Sequence, residues 1–289
     1  MDLWMLVSPF AVALMGAGVG AWTAQWIAAR NKRNDQRLEE VRAANAATTM
    51  SYGITDHFLG MKEQIIKPMV DQFATDRAAF IKANAASKSL GLTVIVFKVP
   101  LDAFRFNWSP AKELHSIVFS DLSAPIRPMM IMPILSRTLA MLDTLAEDRN
   151  AMIRGFNDAQ KAGKETDPWA YYGIPYPKGG ADQRYAHAVQ HISDYTDDVI
   201  KFSEMLGHDL RELALALRDT LPKSMRPLAP RITTITTWKR ADMLPNAEKY
   251  KDYEQLYRPV RGLGSGIWTA SFEALALAQF QERQEHWIY

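Results

Sequence analysis

The sequence predicts a mainly α protein: a single N-terminal transmembrane helix, then a cytoplasmic helical bundle with long antiparallel helices and a candidate short two-stranded β element. Three observations predict it. Residues 3–29 carry no charged side chain, and about 20 mainly apolar residues suffice to cross a bilayer. Residues 185–217 repeat apolar side chains at spacings of three and four over about nine helical turns. Shorter stripes of the same spacing recur between proline- and glycine-rich breaks, with no internal repeat and no low-complexity tract. The organisation expected is an anchor over 1–30, a juxtamembrane helical stalk over 31–53 and a helical domain over 54–289.

The anchor is bounded by Trp4 at one end and by Trp22 and Trp26 at the other, where a bilayer favours indoles. Arg30, Lys32, Arg33 and Arg37 follow it, and only Asp2 precedes it. The positive-inside rule then puts the N-terminus outside and the rest in the cytoplasm, at an inner or plasma membrane. A cleaved signal peptide needs its basic residues before a short apolar core; here they follow a long one. Gly16 and Gly20 form a GxxxG pair, whose small residues let two spans approach closely and self-associate. The competing account is that glycine is simply common in membrane helices. In the stalk, acidic and basic residues alternate around Leu38 and Val41. Asp35, Glu39 and Glu40 dilute the attraction of its basic residues to anionic headgroups, so a solvated helix is the expectation.

Ile54, Phe58, Met61, Ile65, Met69 and Phe73 form the next helical stripe, with Pro68 placed to kink it. Residues 92–99 are β-branched and stop at Pro100; such a short run fits a strand or a buried helix equally. Ser109-Pro110 is a helix start, for a short helix ending near Ser120. Pro125, Pro128 and Pro133 punctuate a methionine-rich stretch. Leu135, Leu139, Leu142, Leu145, Met152 and Phe156 then mark another amphipathic helix. A loop is expected at about 157–180 from its prolines and glycines. The long seam follows and ends at Pro222; a seam of that length packs against another long helix, in the chain or across a dimer. Residues 231–238 are rich in Thr and Ile, so a strand is plausible, and whether it pairs with 92–99 is open. Residues 246–257 and 269–285 read as two more helices.

Composition narrows the function. A net charge of +2 in 289 residues does not mark a nucleic-acid binder, and no nucleic acid is expected as partner. The absence of cysteine removes disulfides, thiolate nucleophiles and all-cysteine metal sites. His187, His191, Asp194 and Asp198, spaced four, three and four, share one helix face beside the apolar seam. Imidazoles and carboxylates so placed supply half of a divalent-metal site, with His57, Asp56 or Glu63 as donors from elsewhere. The bland account is a solvated face. There is no H-E-x-x-H and no paired Glu-x-x-His, and no cofactor is expected beyond that metal option. Residues 262–266, Gly-Leu-Gly-Ser-Gly, lack the spacing of a phosphate-binding loop. The G-x-S-x-G elbow is absent.

Trp169, Tyr171, Tyr172 and Tyr176 concentrate aromatic area in the 157–180 loop. They either fold back to cap the bundle or form a partner-binding surface. Glu147-Asp148-Arg149-Asn150 reads as a salt-bridged or solvated stretch, with a buried arginine network as the alternative. With no catalytic motif, the expectation leans away from an enzyme. It is a single-pass, self-associating interaction or scaffold protein, in signalling or defence, held in the bilayer by residues 3–29 and binding a protein partner of unknown identity. A membrane-tethered metal-dependent hydrolase on the His187 face is the alternative, and a small-molecule sensor the second.

Overall fold

The computed structural model describes residues 3–90, 103–106, 110–162, 167–234, 240, 242–251 and 253, with side chains from residue 20 onward and without those of 87–90. The protein is mainly helical, with no strand among the described residues. Residues 92–99 lie outside them, as do 235–238, while 231–234 are irregular. The chain divides into two compact units, residues 1–246 and 247–289. In the second, a 3-10 turn spans Ala247–Tyr250, with the Lys251–Glu248 ion pair beside it. The helix expected at 269–285 lies outside the described residues.

In the first unit, α1 (Leu3–Met61), a π-helical turn (Lys62–Ile66) and α2 (Lys67–Leu90) form one continuous rod. Then come α3 (Ala111–Ser116) with a second π turn (Ile117–Asp121), α4 (Ile126–Lys161), α5 (Pro168–Tyr172) and α6 (Arg184–Thr220). The sequence-predicted seam coincides with α6: Tyr185, Ile192, Val199, Leu206 and Leu210 are all buried. Pro128 and Pro133, expected to break the chain ahead of the leucine stripe, lie inside α4 instead. Pro128 is in the first turn, where its missing N–H costs nothing.

Helix α6 is the shared element. Ser51 and Tyr52 of α1 meet Ser203 and Gly207, while Lys62 meets Asp197. Rising numbers on one helix match falling numbers on the other, so the pair is antiparallel. Arg127 meets Asp209 near the start of α4, and Arg149 lies over the Tyr185 ring near its middle. α4 is therefore antiparallel to α6 as well. Its Leu135, Leu139 and Leu142 are fully buried, which is where its apolar length is spent. Among the residues whose side chains are described, α4 alone is long and apolar enough to cross a membrane.

The α1–α6 contact includes small and hydroxylic side chains as well as the Tyr52 ring against Gly207. Ala44, Ala47, Thr48, Ser51 and Thr55 are all fully buried. Ser51 Oγ donates to the Ser203 carbonyl at 2.7 Å, and the Thr55 and Ser203 hydroxyls lie 2.9 Å apart. A side chain this short reaches a neighbouring helix backbone only when the helices are close. Thr48 Oγ1 donates to Ala44 O at 2.8 Å, satisfying a hydroxyl whose burial unpaired would be costly. Gly207 is required here, because a Cβ would stand 2.6 Å from the Tyr52 ring. Packing on α1 thus starts at Leu38 and Val41, within the segment read from sequence as stalk.

Pro68 does not simply kink the rod. Its ring would clash with the carbonyl of residue 64 in a regular helix, and the π turn over Lys62–Ile66 widens the backbone there. The Lys67 N–H accordingly bonds to the Lys62 carbonyl, five residues back. The extra residue shifts the helical phase. Ile66 is buried at 1% exposure while Ile65, on the regular stripe, is 37% exposed. Two ion pairs tie the helices together at low exposure. Lys62 Nζ pairs with Asp197 at 2.6 Å and donates to Met243 O at 2.9 Å. Arg127 pairs with Asp209 at 3.0 Å. Burial raises the Asp209 carboxyl above its ordinary range, although Arg127 and His208 both pull it down.

These contacts set opposite expectations for two glycines. Gly207→Ala overpacks the seam and should destabilise by about 1–3 kcal/mol. Gly53 is exposed within α1 with nothing within 4 Å of a built Cβ, so Gly53→Ala should stabilise by about 0.5–1 kcal/mol. Thermal melts of the two variants in the same detergent would decide it; equal shifts would mean that α1 and α6 are not this close.

Candidate functional site

The densest chemistry lies at the N-terminal end of α6, where α2, α4 and α5 converge. Within the predicted 157–180 loop, Asp167-Pro168 starts a five-residue helix, α5. Asp167 accepts hydrogen bonds from the N–H groups of Trp169 (2.9 Å) and Ala170 (3.3 Å), and Pro168 takes the first helical position. Gly173 ends the helix at φ 61°, a conformation that favours glycine. The Tyr176 hydroxyl returns to Asp167 Oδ2 at 2.9 Å and closes the motif.

This cap folds the loop aromatics inward. Tyr171 stacks on Tyr185 with centroids 4.4 Å apart, and Tyr172 packs on Phe80 at 5.3 Å. Phe73 and Phe156 complete the cluster. Tyr171 and Tyr172 are therefore buried, at 5% and 3% exposure, and withdrawn from any partner surface. Trp169, edge-on to Phe80 at 5.4 Å, and Tyr176 are half-buried. Burial, followed by the neighbouring Tyr185, raises the Tyr171 phenol pKa. Burial and then Asp76 raise that of Tyr172. Both stay protonated, so neither is a nucleophile at neutral pH.

Arg149 and Asn150 are buried, at 3% and 6% exposure, the alternative among the two sequence readings of that stretch. The guanidinium lies 4.9 Å over the Phe104 ring and 5.7 Å over Tyr185, an arrangement that favours a cation where it is poorly hydrated. Asn150 clips the Phe104 backbone, accepting its N–H at 3.3 Å and donating to its carbonyl at 2.6 Å. No spacing rule in one sequence joins residue 104 to residue 150.

Of the four candidate metal ligands, His187 and His191 do lie side by side, with ring centroids 6.0 Å apart. His187 is exposed; His191, Asp194 and Asp198 are half-buried. Asp194 accepts from the Gln190 side chain at 3.4 Å. Among the described residues no group of three or more His, Asp or Glu side chains is placed to hold a metal ion. Of the suggested outside donors, Asp56 and Glu63 both face Arg240, at 3.1 and 3.5 Å, and the His57 ring lies edge-on to Phe58 at 5.4 Å. Beside the histidines, a groove of about 430 Å³ runs between α2 and α6, lined by Val70, Phe73, Arg77, Tyr172, His187 and Gln190 among others. Arg77 Nε donates to the Tyr172 carbonyl at 2.9 Å, so this cation is partly spent on holding α5. Gly16 and Gly20 both lie within α1. Nothing in the structure comes within 4 Å of a Cβ built on Gly20. Compared with protein families, curated proteins and solved structures, the chain matches none.

Two outcomes are expected here. Burial, then His187, lowers the His191 pKa. The unfolded chain therefore binds a proton at this position before the folded chain does. Stability from His191 is full above the ordinary value of about 6.5 and declines as pH falls below it. A two-dimensional NMR titration should place its midpoint below that of an unfolded histidine. His187→Ala should move the midpoint only part of the way back, since burial remains; an ordinary midpoint in the parent would contradict the packing. Phe80→Ala should cost about 3–5 kcal/mol, as for a buried aromatic. A loss under about 1 kcal/mol in a chemical melt, against that range, would mean the cluster is not a core.

Proposed function

We propose that the chain is a single-pass membrane-anchored helical interaction protein, self-associating, with its bundle on the cytoplasmic side of an inner or plasma membrane. The observation that carries this reading is the uncharged run of 3–29 followed at once by Arg30, Lys32, Arg33 and Arg37. It is supported by the solvent exposure of residues 20–29, where Trp22 and Trp26 are 69% and 50% exposed. Trp26 carries the Arg30 guanidinium 5.5 Å over its ring, and a bilayer interface favours indoles exposed in this way. The bundle's own chemistry is burial and ion pairing, in the aromatic cluster around Tyr171 and in the Lys62–Asp197 and Arg127–Asp209 pairs. Recognition rather than bond breaking fits these features, in a scaffolding role for signalling or defence.

A reporter fused after Tyr289 should be active only on the cytoplasmic side; activity on the outside reverses the orientation. Native mass spectrometry of the full chain released from detergent should show a dimer or larger assembly. Gly16→Leu with Gly20→Leu should shift it to monomer, because a bulky face stops close approach of the spans. A monomeric parent would sink self-association through the span.

A further inference from the structure

Outside residues 20–29, the large apolar side chains left exposed among the described residues are Ile65, Ile81, Phe119, Ile126, Met129 and Leu228. The last four share one end of the bundle. Asp121, two residues past Phe119, lines an open hollow with Lys32, Asp35, Glu39, Glu40 and Arg42 of α1. Ile126 and Met129 begin α4, beside the Arg127–Asp209 pair. Leu228 follows the end of α6. In the antiparallel register set by Tyr52 and Gly207, that end lies level with about residue 39 of α1. All four are thus in the half of the bundle nearer residues 3–29.

Leu228 is held in place rather than frayed. It ends a 3-10 turn, Arg226–Leu228, and its neighbours Ala229 and Ile232 are buried. Arg226 ties the turn to the last carbonyls of α6, donating to Asp219 O at 2.7 Å and Leu221 O at 3.2 Å. On the other side the Thr233 N–H donates to Asn45 Oδ1 at 2.8 Å. A leucine 61% exposed on a turn fastened at both ends is a fixed feature of the surface. Around it Lys223, Arg226 and Arg231 are exposed, against Asp219 alone. On α1 nearby, with Glu39 and Arg42 paired at 2.6 Å, Arg30, Lys32, Arg33 and Arg37 stand against Asp35 and Glu40.

We propose that this end of the bundle docks on an anionic lipid surface, with Leu228 and Phe119 entering the headgroup boundary and Lys223 and Arg231 meeting lipid phosphate and carboxylate groups. The proposal rests on the reading of 3–29 as a span. An exposed leucine among basic side chains, as Leu228 is among Lys223, Arg226 and Arg231, is the combination that binds such a surface. The lipid is also the occupant nearest to hand: residue 39 is nine residues beyond Arg30, about 14 Å along the helix.

The absence of cysteine makes a site-specific test clean. Leu228→Cys, Phe119→Cys and Trp26→Cys are each labelled with an environment-sensitive fluorophore on the full chain. Each is reconstituted in phosphatidylcholine vesicles with and without phosphatidylserine, using only variants that melt with the parent. Labels at 228 and 119 should be quenched by nitroxide lipids when phosphatidylserine is present, and lose that quenching in its absence or at high salt. Each basic residue near an anionic surface is worth about fivefold, so Lys223→Gln with Arg231→Gln should lower the docked-to-undocked ratio roughly 25-fold. Labels at 228 and 119 in water while the label at 26 is in lipid would overturn docking and leave the span intact. Equal quenching in both vesicle types would overturn the anionic surface as the occupant. A label at 26 in water would remove the span and the docking together.

Discussion

The close approach of α1 to α6 is the constraint on which the rest of the bundle depends. Ser51 can reach the Ser203 carbonyl only because residue 207 is glycine and Tyr52 fills the space a side chain would take. That approach buries hydroxyls, and the geometry satisfies them locally or across the interface: Thr48 on Ala44, Thr55 facing Ser203. A seam of this kind is sensitive to single methyl groups, since overpacking and underpacking both cost free energy. It is also specific, because the polar pairs match in only one register. A large-residue seam tolerates sliding better than one whose hydroxyls must meet named carbonyls.

With that register set, the longer-range contacts follow. Lys62 falls opposite Asp197 at the π turn, and Arg127 opposite Asp209 on the other flank of α6. Both pairs are mostly buried, so their main effect is to penalise wrong alignments, where a charge would be left without a partner. The π turn belongs to the same scheme. It accommodates Pro68 and rotates the apolar face by one residue, so that α2 continues along the bundle with Ile66 rather than Ile65 turned inward.

Large apolar residues at regular spacing were readable in the sequence. The α6 seam and the leucines of α4 sit where their periodicity puts them, because a stripe of that kind has one way to be buried. Three features were hidden for physical reasons. Ala44, Ala47, Thr48, Ser51 and Thr55 recur at helical spacing but are too small or too polar to register as a hydrophobic stripe. The phase shift at Ile66 depends on a backbone insertion that Pro68 induces, not on any side-chain period. The α5 helix is hidden by the residues that bound it: Pro168 and Gly173 punctuate a loop as readily as they start and end a short helix. For the candidate site, spacing showed that His187 and His191 are neighbours, but not that His191 is the more buried of the two. Nor could it join Asn150 to Phe104, or spend Asp56 and Glu63 on Arg240.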